Sequence, residues 1–317
     1  MSRHSARLGP ARRQAGPVRA GSRPHAAVHV AQPAAPADRS REGQWWQRSR
    51  SEDSLWPGVG AHAAASARVS NRLLGGKDHF RADRVAADRL READPAWSDT
   101  ARAARRRVLE VAGWLAAHGG VGQFVDLGCG LTTGDHPQAP WELRPLHAAV
   151  LPAAPGARIV YADRDPMVLA HARALLHTPV PGRARHLAAD LASPGPLMEA
   201  LLGPQAALDR QRPIAVVLSD VLHELADHQT GRLLEVLREG LPPGSRLVVS
   251  HRHGGRDQGR RAAVAAAHAG SGLAWHPRTG RDLEVLAGGW RIADLSTAGV
   301  RAAHGYAVML LETGGSR

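Results

Sequence analysis

Gln123-Phe-Val-Asp-Leu-Gly-Cys-Gly130 runs an apolar strand into an acidic residue and two glycines, and its reading decides the fold. A second strand, Ala157-Arg-Ile-Val-Tyr-Ala-Asp163, also ends in an acidic residue. An open parallel α/β sheet builds a nucleoside pocket from such a pair. The first turn uses glycine so that backbone can approach a ligand, and the second carboxylate accepts a ribose diol. A dinucleotide site would continue with a third glycine, so that a helix N-terminus could face a pyrophosphate. That position is Thr133. The expected ligand therefore has a ribose and no pyrophosphate, and S-adenosylmethionine is the commonest cofactor of that kind.

The rest of the chain is organised around this element. Residues 1 to about 60 mix Arg, Pro, Ala, Ser and His without a period, and Trp45, Trp46 and Trp56 stand among them. We expect a disordered extension there, followed by one domain over 61–317, with a helical segment at 61–120 and a Rossmann-like core at 121–317. The formal charge of +12 is concentrated in residues 1–50, which hold ten Arg against Asp38 and Glu42. Lys77 is the only lysine, as GC-rich coding would produce, so the charge is not taken as a nucleic-acid signature. The single cysteine, Cys129, excludes an internal disulfide and fits a reducing compartment. The N-terminus lacks a signal-peptide core, and no run of about 18 apolar residues could span a membrane. The expected location is the cytoplasm.

Helices are expected over Ala67–Leu74, stopped by Gly75-Gly76, over Asp78–Ala93, and over Asp99–His118, capped by Asp99 and ended by Gly119-Gly120. Strands then alternate with helices. The expected strands are Gln123–Leu127, Arg158–Ala162, Ala184–Ala188, Ile214–Ser219, Arg246–Ser250, Trp290–Leu295 and Tyr306–Leu311. Helices are expected over Pro166–His177, Leu197–Gly203, Gln229–Gly240, Arg260–Ala269 and Arg281–Ala287. This is the layout of a class I methyltransferase: seven strands, mostly parallel, with helices on both faces.

Candidate site residues follow from the strand ends. Gly128 and Gly130 let the methionine part of the cofactor sit against backbone, and Asp126 can receive its ammonium. Asp163 is the expected ribose ligand. Asp165, before Pro166, is the expected helix N-cap. Asp190 reaches the adenine amino group or caps the next turn. The fourth strand runs into Ser219-Asp-Val-Leu-His-Glu-Leu225, where the transferred methyl should point. His223 can act as a general base there, or hold the loop, with Asp220 and Glu224 flanking it. Leu73-Leu-Gly-Gly-Lys-Asp-His-Phe80 fails as a phosphate loop, because Asn71 and Asp78 stand where Gly and Ser or Thr belong. Its Lys77 could still reach the cofactor's carboxylate. His251-Arg-His253 has metal-like spacing, but no carboxylate or cysteine joins it.

Together these residues resemble a family of actinobacterial S-adenosylmethionine-dependent methyltransferases, long known as a domain of unknown function. The resemblance is carried by Leu73–Phe80, Gln123–Leu131, Ile159–Ala172, Ala189-Asp-Leu191 and Val221-Leu-His223, and covers about residues 66 to 295. It implies cofactor binding through Asp126, Gly128, Gly130, Asp163 and Asp190, with the Lys77 segment close to the cofactor; Arg164, Leu191 and Ser219 are further expected cofactor-binding residues. The Val221–Leu225 turn also looks like the turn in small-molecule O-methyltransferases that carries their catalytic histidine. The chain departs from the family at Ser70-Asn71-Arg72, where a Tyr-Asp-Tyr-like triplet is usual, and at Ala104-Arg105, where Asn-Arg is usual. The Pro-rich turn around Gly134–Leu143 is also unusual, and His147 lacks its usual following glutamate. The expected function is methyl transfer to oxygen or nitrogen of a small-molecule acceptor. The alternatives are an inactive cofactor-binding sensor, or a nucleic-acid methyltransferase that uses the basic extension.

Overall fold

The computed structural model describes residues 60–134, 136, 138–252, 257–293 and 306–313. The Arg-rich extension, His253 and the end of the expected sixth strand lie outside them.

Seven strands form one sheet in the order β3-β2-β1-β4-β5-β7-β6. They are β1 (Gln123–Leu127), β2 (Arg158–Asp163), β3 (Ala184–Ala188), β4 (Ala215–Ser219), β5 (Arg246–Arg252), β6 (Arg291–Ile292) and β7 (Tyr306–Glu312). The first five run parallel, and β7 pairs antiparallel with β5 and β6. The order reverses between β1 and β4, which opens a crevice at the carboxyl ends of the central strands.

Side-chain alternation along these strands feeds two cores. Val125, Leu127, Val160, Val216 and Leu218 meet α6 (Pro194–Leu202), α7 (Asp227–Gly240) and α9 (Gly280–Leu286) on one face. Phe124, Ile159, Tyr161, Ala215 and Val217 meet α3 (Trp97–His118), α4 (Leu146–Val150) and α5 (Pro166–Leu175) on the other. A third core joins α1 (Ser66–Leu74), α2 (Arg81–Ala93), the start of α3 and α8 (Gln258–Ala269) through Val69, Leu73, Leu90, Trp97 and Val264.

Several boundaries differ from expectation for identifiable reasons. α3 begins at Trp97, not Asp99, because Trp97 packs in the third core; Asp99 pairs instead with Arg102 one turn on. α2 begins at Arg81 rather than Asp78, because Asn71 Oδ1 accepts the Asp78 N–H at 2.9 Å and holds 75–78 as a loop. The α1 stop is as read: Gly75 takes the left-handed conformation at φ 95° and donates to the Arg72 carbonyl. Asp165 is the N-cap of α5, accepting from Met167 N–H at 2.8 Å.

The α1–α2 pair is tied by a buried ion pair. Asp83 is fully buried and accepts from Arg68 Nε at 2.8 Å, from Phe80 N–H at 2.8 Å and from Ala65 N–H at 3.0 Å. Removing one partner of such a pair leaves an uncompensated charge, which costs about 3–5 kcal/mol. Asp83→Ala should therefore lower unfolding free energy by about that amount in denaturant titration; a loss under about 1 kcal/mol would show that the pair does not hold the helices.

Candidate active site

The first turn is fastened on three sides. Gly128 and Cys129 N–H donate to the Ala162 carbonyl at 2.8 and 3.2 Å, tying the turn to β2. Gly128 is left-handed at φ 69°, and a Cβ there would lie 2.6 Å from Val221 Cγ1 in the turn after β4. Gly130, left-handed at φ 61°, donates its N–H to Asp163 Oδ2 at 3.1 Å. The other oxygen of Asp163 accepts the Asp165 N–H at 3.0 Å. Burial raises the Asp163 carboxyl above its usual range, and the two N–H donors oppose that rise.

Two adjoining cavities open beside this turn. The larger, about 730 Å³, is lined by Gly128–Thr132, Asp163, Ser219, Asp220, Val221 and Arg252 on the sheet side. Its opposite wall is α1 and α3, through Ala67, Ser70, Asn71, Leu74, Ala101 and Arg105. The smaller, about 390 Å³, is lined by Gly128, Asp163, Arg164, Ala189, Asp190, Leu191, Val221, Glu224 and Leu225. Gly128, Asp163 and Val221 belong to both walls. Asp190 also accepts the Ala192 N–H at 3.0 Å, and Arg164 meets Glu224 at 3.3 Å.

Seven of the ten candidates thus converge on the paired cavities: Gly128, Gly130, Asp163, Arg164, Asp190, Leu191 and Ser219. Three do not line them. Lys77 is exposed, because Asn71 folds the glycine loop back through Gly76 N–H to its own carbonyl at 2.8 Å and Asp78 N–H to its side chain. Asp126 is fully buried, because alternation turns it to the Phe124 side of β1, under α3, where it meets Arg105 Nη2 at 3.4 Å. Burial raises its carboxyl and the Arg105 charge opposes the rise. His223 is only 5% exposed and sits in a single 3-10 turn, Leu222–Glu224. Its ring packs beside Trp275, His251 and His268, on the β5–α8 side.

The His223 neighbourhood is strongly ordered. Arg278 Nη1 donates to the Leu222 carbonyl at 2.7 Å, Nη2 to that of Leu225, and Nε to Asp227 at 2.8 Å, which fixes the turn. His223 Nδ1 lies 3.6 Å from Asp220 Oδ1, and Asp220 forms an ion pair with Arg252. Burial raises the Asp220 carboxyl, but the charge of Arg252 and the contact with His223 outweigh it and hold it well below the usual range. Asp220 is left-handed at φ 55° without being glycine, a strained conformation typical of site turns. Arg252 lies over the Trp97 ring, its Cζ 4.5 Å from the centroid. Burial pushes the Cys129 thiol well up, which disfavours the thiolate that a nucleophile needs. Among the described residues no group of histidines, cysteines and carboxylates could hold a metal ion, and no helix is long and apolar enough to cross a membrane.

Sequence reasoning missed three lining residues. Arg105 stands on the buried stripe of α3 with Ala101, Val108 and Ala112, so an arginine among apolar positions was the available signal. Asn71 was read as a departure, yet its amide donates to the Leu131 carbonyl at 3.1 Å and joins α1 to the first turn. Arg252 ends a strand expected to stop at Ser250, and nothing in the sequence marked its burial.

A Gly-turn joined to a strand-end carboxylate, with a cavity on either side, suits an adenosyl ligand. Over residues 55–306 the sequence matches a family model described as S-adenosyl methyltransferase. The chain belongs to the S-adenosyl methyltransferase family. This methyltransferase is also similar to two solved structures. One is a methyltransferase from Thermobifida fusca, 28% identical, covering 83% of this chain and 100% of that one, at a TM-score of 0.69. The other is a DUF574 family protein from Streptomyces avermitilis, 27% identical, covering 80% and 99%, also at 0.69. No curated protein matches the sequence. The fold, the enzyme class and S-adenosylmethionine as cofactor thus agree with the sequence reading.

Two outcomes test this geometry. Gly128→Ala should destabilise by more than about 2 kcal/mol, through strain plus the Val221 contact. Gly130→Ala, whose Cβ meets nothing within 4 Å, should cost about 1 kcal/mol. Equal losses in denaturant unfolding would sink the close-approach reading. The second outcome concerns acid. Burial is the main reason His251 and His268 are held down, at about 3 and about 4. The unfolded chain binds protons below about pH 6.5 while the fold excludes them, so stability falls as pH drops from there toward 4. His268 should account for roughly 2 kcal/mol by about pH 5, and His268→Gln should flatten the profile by that amount.

Proposed function

We propose that this methyltransferase transfers its methyl group to an oxygen or nitrogen of a small molecule. The observation that supports this most is the lining: α1 and α3 residues face the strand ends across the larger cavity, so an acceptor sits between two walls, a setting that suits a small molecule. In the orientation we propose, Asp163 accepts the ribose diol from between the cavities. Asp190, Leu191 and Arg164 line the adenine end in the smaller one. The larger one holds the methionine end and the acceptor, beside Ser219 and Asp220. S-adenosylmethionine supplies an electrophilic methyl group on a sulfonium, and the protein supplies positioning and exclusion of water.

His223 is the proton acceptor in this proposal. A carboxylate beside Nδ1 favours the tautomer that leaves Nε2 free to take a proton, and Asp220, on the cavity wall, has its Oδ1 3.6 Å from Nδ1. In the chain His223 falls between the lining residues Val221 and Glu224, while its ring packs against Trp275, His251 and His268, so proton removal depends on the acceptor reaching past the wall.

Incubation with methyl-labelled cofactor and a size-fractionated extract should place label in the small-molecule fraction, equally for the full chain and for residues 61–317. Label confined to nucleic acid or protein, or lost with the extension, would overturn the reading. With the acceptor in hand, His223→Ala should cut kcat by about 100-fold or more while cofactor affinity holds; a loss under about ten-fold would remove His223 as base.

A further inference from the structure

We infer that Arg105 holds the carboxylate of the cofactor's methionine moiety. The inference rests on the orientation proposed above, with ribose at Asp163 and the methionine end in the larger cavity. A carboxylate carried under the α1–α3 roof leaves bulk water and needs a cation or several N–H donors in return. Two side chains in that cavity are cationic at any working pH, Arg105 and Arg252. They stand at opposite ends. Arg105 reaches down from α3 to Asp126 on β1, beneath the glycine turn. Arg252 ends β5, two strands away across β4, roughly 10 Å at the usual strand spacing.

The two arginines differ in where they stand relative to the glycine turn. Arg252 pairs with Asp220 through Nη2 and lies over Trp97 at the far strand, although its Nε and Nη1 have no hydrogen-bond partner among the described residues. Arg105 is 6% exposed, and among the described residues its one hydrogen-bond partner is Asp126, at 3.4 Å. That is long beside the 2.7–2.9 Å or so of a good charge-assisted bond, and a guanidinium has five donors to place. Asp126 Oδ1 has no hydrogen-bond partner among the described residues, so the pair is loose on both sides. A carboxylate arriving at the glycine turn would complete the guanidinium, with Asp126 fixing its position from below. Lys77, the sequence-based candidate for this contact, is exposed and lines neither cavity.

The test compares S-adenosylmethionine with decarboxylated S-adenosylmethionine, which lacks only that carboxylate. Dissociation constants are measured by calorimetry for wild type, Arg105→Met, and Arg105→Met/Asp126→Asn, the last so that no buried charge is stranded. Wild type should prefer the intact cofactor by about 10- to 100-fold, as expected for hydrogen bonds to a charged group. Both variants should bind the two ligands equally, with the decarboxylated one held as in wild type. A folded variant that keeps the preference, or weakens both ligands alike, overturns the assignment. Asp163→Asn, run in parallel, should weaken both ligands alike and keep the preference. If it changes neither, the orientation is wrong, and the inference falls with it.

Discussion

The contact between Gly128 and Val221 is the constraint on which the site depends. Without a Cβ at position 128, the turn after β1 closes onto the turn after β4, across the point where the strand order reverses. The same turn is bonded backward to β2 through Ala162 and sideways to Asp163 through Gly130. Three strand ends are therefore registered by a single left-handed turn, and the two cavities are the space it leaves on either side. Any residue with a side chain at 128 would push the turns apart and merge that space with solvent.

Burial of charge shapes the rest. Arg68–Asp83, Arg105–Asp126 and Arg252–Asp220 each join two elements that meet at the roofed cavity or hold its roof. Their geometry differs with what they do. The first is closed by backbone N–H donors to Asp83 and by a backbone carbonyl that accepts from Arg68, and acts as a fastening. The second is long and partly unmet, and the third sits against an aromatic ring and a strained turn. Buried pairs add little net stability over apolar packing, so their placement around one cavity speaks for orientation of ligands more than for folding energy.

Strand order and cofactor class were legible because they depend on local signals. Near-continuous apolar runs marked the central strands, and glycine with a strand-end acid marked the ligand turn. What failed depended on direction. Asp126 and Asp163 look alike in sequence, but the pleat turns one under α3 and leaves the other at the strand tip between two cavities. Lys77 stands away from the cavities because Asn71, near the end of α1, bonds Gly76 and Asp78 and recruits the glycine loop back onto that helix. The sixth strand, expected over Trp290–Leu295, is present as β6, Arg291–Ile292, although both residues are exposed. The short α4 follows a proline-rich stretch that reads as loop, and only packing of Leu146 and Val150 in the core makes it helical.

The wall supplied by α1 has a consequence for how the enzyme handles its cofactor. That helix is pinned to the first turn through Asn71 and Leu131 and to α2 through Arg68 and Asp83, yet its inner face is also cavity lining. A ligand that fills the cavity adds contacts to α1 that the empty protein lacks, so occupancy and the integrity of the N-terminal helices are thermodynamically linked. A segment that carries none of the chemistry is thereby coupled to occupancy of the site.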